Sequence, residues 1–207
     1  MMKKLVLVGA FAALAAAPVA AAPPTLTLKA APAVVTYGGT TTLSGTLSTG
    51  QAGQNVDVQA QPCGQSAFKK ELSVTTTSGG AFSATVKPLL NTNYQVRSRS
   101  AVSPAVSIKV APVLALRKVT RGKFRVSITA AQSFVGKYVV FQRLRSSKWV
   151  TVKRVTLKSV ITTTPPTQVS SATFRAKLRT KLRVRATLPA AQAGACYLGT
   201  KSKTIRS

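Results

Sequence analysis

Apolar residues recur at every second position over short stretches of this chain, and breaks rich in Gly, Pro and Ser separate the stretches. A period of two sends successive side chains to opposite faces of an extended strand. The pattern predicts strands over 25–29, 40–47, 54–61, 68–75, 81–86, 93–99 and 105–110 in the first half. In the second half it predicts strands over 113–119, 123–129, 137–145, 148–157, 170–178, 181–188 and 199–205. Gly38-Gly39, Ser48-Thr49-Gly50, Pro62-Cys63-Gly64 and Ser78-Gly79-Gly80 supply turn chemistry between them. Val and Thr are abundant and heptads are absent, so the chain reads as all-β. Turn signals at such close, even spacing suit sandwiches of short strands.

The halves lie over one another. TTLSGTLSTGQAGQNVDVQ (41–59) aligns without a gap on FRVSITAAQSFVGKYVVFQ (124–142), so that Val56 meets Val139 and Gln59 meets Gln142. GGAFSATV (79–86) is placed on SATFRAKL (171–178), and NYQVR (93–97) on KLRVR (181–185). A duplication of this kind sets a boundary at Ala111-Pro112, with one sandwich over 22–110 and a second over 111–207.

GGTTTLSGTLSTGQAGQNVDVQAQP and GGAFSATVKPLLNTNYQVR resemble the immunoglobulin-like repeats of bacterial extracellular and surface proteins, and GKYVVFQRLRSSKWVTVKRVTL resembles the matching hairpin. The resemblance implies two tandem immunoglobulin-like β-sandwich domains outside the cell, serving as spacer, adhesive or presenting modules. It brings no catalytic residues. Some such repeats hold calcium in acidic loops, and this chain, with two acids in all, departs from that pattern.

The N-terminus agrees with export. Lys3 and Lys4 precede an apolar run from Leu5, and Val19-Ala20-Ala21 closes it with small residues, the layout of a signal peptide over 1–21. The run is Ala-rich, broken by Pro18 and short for a bilayer span, and no later stretch is apolar enough to cross a membrane. The expected location is secreted, extracellular or in the cell envelope.

Charge changes the picture most. The full chain carries +28, and loss of Lys3 and Lys4 with the leader leaves +26. Residues 22–110 hold seven bases and both acids, Asp57 and Glu71, for +5; residues 111–207 hold 21 bases and no acid, for +21. A general basic bias would load both halves. The second half therefore has its own use for charge, and association with anionic partners is the physical expectation. With no His and only two acids, Asp57 and Glu71, the chain is short of the residues for carboxylate pairs, Ser-His-Asp and Cys-His constellations and zinc or calcium cages. The reading is non-catalytic, with no metal and no cofactor.

KYVVFQRLRSSKWVTVKRVTLK (137–158) focuses the charge. A turn at 145–148 sets Leu144 opposite Trp149 and Tyr138 opposite Val155. Val139, Phe141, Val150 and Val152 are expected in the core, with Tyr138, Trp149 and Lys153 outward. In an immunoglobulin-like strand order, Lys181, Arg183 and Arg185 come alongside. The candidate polyanion-binding residues are thus Tyr138, Trp149, Lys153, Lys181, Arg183 and Arg185, with packing of Trp149 over the sandwich edge as the competing role for that residue. An anionic envelope polymer or acidic polysaccharide is the expected partner; export and the lack of a nucleic-acid module disfavour intracellular nucleic acid. The competing reading is a structural spacer or scaffold in the envelope, its charge serving solubility alone. Lys123, Arg125, Arg175 and Lys177 also alternate on the other sheet, which favours charge spread over the whole domain.

Cys63 and Cys196 stand one in each half. Cys63 follows the third strand at the exit end of the first sandwich, and Cys196 precedes the last strand at the entry end of the second. A short linker brings those ends together, so a disulfide clamping the junction is a candidate in an oxidising compartment.

Overall fold

The period-two stretches pair into four sheets. The computed structural model describes residues 22–207, and the signal peptide expected over 1–21 lies outside the described residues. The first half contains β1 (Lys29–Ala31), β2 (Val34–Thr36), β3 (Thr41–Thr46), β4 (Asn55–Pro62), β5 (Lys69–Thr75), β6 (Ala81–Val86), β7 (Thr92–Ser98), β8 (Ala101–Val102) and β9 (Val106–Ala111). The second contains β10 (Val113–Thr120), β11 (Lys123–Ala130), β12 (Tyr138–Arg145), β13 (Lys148–Thr156), β14 (Ser159–Thr162), β15 (Gln168–Arg175), β16 (Arg183–Leu188), β17 (Thr200–Lys201) and β18 (Ile205–Arg206). The single α-helix among the described residues is the short α1 (Ala190–Ala193). None of these residues forms a helix long and apolar enough to cross a membrane.

Strands pair only within their own half. In the first, one sheet runs β1-β3-β6 and the other β2-β9-β7-β4-β5, with β8 on β7. In the second, one runs β10-β11-β15-β14 and the other β13-β12-β16, with β17 and β18 both on β16. Alternation decides which face each strand buries. On β11, Phe124, Val126 and Ile128 are fully buried, as are Val139 and Phe141 on β12 and Val184 and Ala186 on β16. Phe124 and Phe174 from one sheet meet Phe141 from the other, with centroids 5.1 and 5.0 Å from its ring. That aromatic cluster ties the two sheets of the second half face to face. In the first half Leu43 and Phe82 of one sheet are buried, as are Val58, Tyr94 and Val96 of the other.

The register reveals where the halves correspond. β4 shifts against β5 between Val58 and Gln59, and β12 shifts against β13 between Phe141 and Gln142. The gapless alignment of 41–59 on 124–142 superposes these two bulges. The side chains there also match: Gln95 donates to Gln59 Oε1 at 2.8 Å, and Arg185 Nε donates to Gln142 Oε1 at 2.9 Å. The later overlays are out of register. Gln59 pairs with Gln95 and Gln142 with Arg185, so 93–97 belongs two residues further along than 181–185. Gly45 pairs with Phe82 while its counterpart Ile128 pairs with Ser170, which displaces 79–86 on 171–178 by four. Both overlays matched apolar alternation, and alternation cannot tell a strand from its copy moved by an even number of residues.

Polar contacts bind the halves at Ala111-Pro112. Cys63 and Cys196 are disulfide-bonded, with Cα atoms 5.3 Å apart. Asn91 donates its backbone N–H to Cys196 O (2.9 Å) and its Nδ2 to Ala195 O (2.8 Å), while its Oδ1 accepts from Val110 N–H. Leu198 N–H donates to Val110 O at 2.8 Å. Tyr197 is buried; its hydroxyl donates to Leu89 O and accepts from Ala131 N–H. Burial pushes the Tyr197 phenol up to about 12, so it stays neutral and keeps both roles.

Candidate functional site

The sheet β13-β12-β16-β18 builds the candidate face. The hairpin turn is two residues long, Ser146 and Ser147, with φ of 45° and 63°. Positive φ at both positions matches the right-handed twist of the flanking strands. Leu144 accordingly pairs with Trp149, as the sequence predicts. Beyond Gln142 the bulge intervenes, and Tyr138 pairs with Thr156 rather than Val155.

That extra residue rewrites the outer row. Residues directly opposite one another share a face of the sheet. Val155 pairs with Val139 and is buried; Leu157 beyond it is buried too. Val150, expected in the core, is 40% exposed, and Val152 is half-buried. Lys153 pairs with Phe141 and is exposed on the edge strand, on the face of Val155 rather than that of Trp149. Arg154 takes its place in the outer row, pairing with Val140 and lying 5.3 Å from the centroid of the Tyr138 ring.

The six predicted residues therefore divide. Trp149, Arg183 and Arg185 come together. Arg185 lies over the indole of Trp149 at 4.0 Å from its centroid, a cation–π contact of about 0.5–2 kcal/mol. Gln142 Oε1 holds the guanidinium by its Nε and also accepts from Thr187 Oγ1 at 3.1 Å. With Nε engaged, the terminal Nη groups are left for a ligand. Desolvation lowers the Arg185 pKa, yet an arginine stays charged across physiological pH. Tyr138 stands at the other end of the strand: Val140 pairs with Thr187, and Tyr138 N–H donates to Gln192 Oε1 near α1. Lys181 lies outside β16 in a turn, with φ of 67°. Tyr138 and Lys153 are thus not neighbours of the Trp149 stack, and Lys181 sits in the turn between Arg179 and Leu182 rather than on the strand.

Other residues join it. Arg206 pairs directly with Arg183 across β16 and β18. Leu144, Trp149, Arg183, Ile205 and Arg206 line a groove of about 340 Å³. A second groove of about 410 Å³ is lined by Arg143, Leu144, Arg145, Arg179 and Leu182. Both lie at the end of the strands remote from Cys196 and Tyr197. Arg206 was legible in principle, because a final strand beside β16 must place alternate residues on its outer face. Arg154 was not, since nothing in the sequence flags the bulge except its counterpart at Gln59.

The electrostatics of the halves differ in kind. In the first, Lys70 lies 2.8 Å from Asp57, whose carboxylate also accepts from Ser73 Oγ. The Lys70 and Ser73 contacts hold the Asp57 carboxyl below the usual range, whereas burial raises Glu71. In the second half no side-chain carboxylate exists to compensate 21 bases. Like charges also oppose one another on its other sheet, Arg117 against Arg125 and Lys123 against Arg175. The basic charge covers both faces; Trp149 and the first groove are on the outer one, while the second groove, with Arg143 paired to the buried Val184, lies at the end of the sheet. Compared with known proteins, the chain matches no family model and no curated protein.

Proposed function

We propose that the chain is an exported, non-catalytic protein of two tandem immunoglobulin-like sandwich domains, 22–110 and 111–207, whose second domain docks on an anionic polymer. The strand order supports the domain assignment: each half sets a sheet containing its third predicted strand against one containing its second. The polymer is an acidic polysaccharide or an anionic envelope polymer outside the cell.

One observation carries the reading. Arg183, Arg185 and Arg206 share the outer face of one sheet at its free end, and no carboxylate side chain in their half compensates them. Such an array releases counterions when it meets a polyanion, so its affinity depends steeply on salt. The junction contacts favour a second role, that of a spacer holding this end away from the first domain.

Retention of the mature chain on a sulfated-polysaccharide resin tests the reading. Arg183→Ser with Arg185→Ser is expected to elute at markedly lower salt than Arg175→Ser with Lys177→Ser, although both remove two charges. Equal shifts contradict a dominant face. Elution independent of salt contradicts electrostatic docking altogether.

A further inference from the structure

The two grooves share Leu144. We infer that they are consecutive subsites for an acidic polysaccharide, each taking one anionic sugar ring, with the glycan passing over Leu144 around the end of the sheet. The inference rests on the polyanion reading above and narrows it to a ligand class.

Each groove combines what a charged sugar presents. Leu144 and Ile205, with the Trp149 indole beside them, give the first an apolar lining for the C–H face of a pyranose. Leu144 and Leu182 serve the second. Arg183 and Arg206 border the first, and Arg143, Arg145 and Arg179 the second. All five cations are arginines, whose planar forks donate two parallel hydrogen bonds to sulfate or carboxylate. Volumes of about 340 and 410 Å³ fall at the small end of ligand sites and suit single rings better than larger groups.

The Arg183–Arg206 pair points the same way. Like charges directly opposite on neighbouring strands are unfavourable, and an anion between them reverses the sign. Arg117–Arg125 and Lys123–Arg175 are equally opposed, but neither pair contributes to these two grooves. Arg185 does not line the first groove although Trp149 does, so the guanidinium covers one side of the indole and leaves another to the ligand. A linear phosphate chain has charge enough for the arginines but no ring for the apolar linings.

Trp149 is the only tryptophan of the chain and reports on the first groove directly. The mature chain is titrated at constant salt with a heparin-derived tetrasaccharide and with linear polyphosphate of equal charge, following tryptophan emission and heat. The tetrasaccharide is expected to change Trp149 emission saturably and to bind at least tenfold tighter than polyphosphate. Arg206→Ser and Arg179→Ser, one from each groove, are each expected to weaken the tetrasaccharide about fivefold or more while leaving the circular dichroism spectrum intact. Equal affinity for both ligands with unchanged emission overturns the subsites and leaves general polyanion docking standing. Failure of every anionic ligand to bind overturns both readings.

Discussion

Severing the junction disulfide separates two contributions that the native chain combines. The perturbation is Cys63→Ser with Cys196→Ser. The bond closes a loop spanning 133 residues, for which the chain-entropy relation yields about 5 kcal/mol as an upper bound. Losses of about 2–4 kcal/mol are typical of disulfides, and that is the expected range here. At roughly 2–4 °C per kcal/mol for a chain of this size, the midpoint falls by about 4–16 °C. The hydrogen bonds of Asn91, Leu198 and Tyr197 across the junction survive the substitution, so both halves remain folded. Urea unfolding is followed by Trp149 emission, which reports only the second half, and by far-ultraviolet circular dichroism, which reports both. The two curves are expected to coincide in the native protein and to separate in the variant. A loss below about 0.5 kcal/mol with coincident curves in both proteins refutes the clamp. Two free thiols on non-reducing peptide mapping of exported protein refute it sooner.

Four further outcomes follow from particular contacts. Phe141→Ala removes the ring at the centre of the three-phenylalanine cluster and is expected to cost about 3–5 kcal/mol in denaturant unfolding, whereas Phe68→Ala, outside the core, costs little. Gln142→Ala frees the Arg185 side chain; stability falls by about 1–2 kcal/mol and Trp149 emission changes as the stacked guanidinium is released. Ser146→Asn with Ser147→Gly relieves positive φ at both turn positions and is expected to raise stability by about 1 kcal/mol with no loss of polymer binding. Tyr197 titrates near its ordinary value of 10 when unfolded and near about 12 when folded. Between those values the unfolded chain has lost a proton that the folded chain retains, so stability drops as pH rises, by an amount on the order of 2–3 kcal/mol. In Tyr197→Phe that share of the alkaline loss disappears.

Period-two alternation placed the longer strands, because burial of one face dictates it and polar residues on the other face permit it, but it missed the short β2, β8 and β14 and read β17 and β18 as one strand. The overlay of 41–59 on 124–142 set the division at Ala111-Pro112, and strand pairing stays within each side of it. Alternation was blind to the bulge after Phe141. One inserted residue there moved Lys153 off the outer row, brought Arg154 onto it and carried Val155 into the core. The face of β16 was right for Arg183 and Arg185, but the strand begins only at Arg183, which leaves Lys181 in a turn. Tyr138 fell away for a different reason: alternation assigns a face and says nothing of distance along the strand. The grooves around Leu144 were invisible because they depend on Arg179, Leu182, Ile205 and Arg206 converging on the hairpin from two other segments.

The central claim is that the arginine-bearing end of the second half docks on polyanions electrostatically. The direct measurement is the dissociation constant for a sulfated polysaccharide as a function of salt, for the mature chain and for Arg183→Ser/Arg185→Ser/Arg206→Ser. Each phosphate-like contact contributes about 0.7–0.9 to the slope of log K against log salt on nucleic-acid polyanions. On that scale the triple variant is expected to lose about two to three units of slope along with its affinity. An unchanged slope and affinity in the triple variant contradicts the claim.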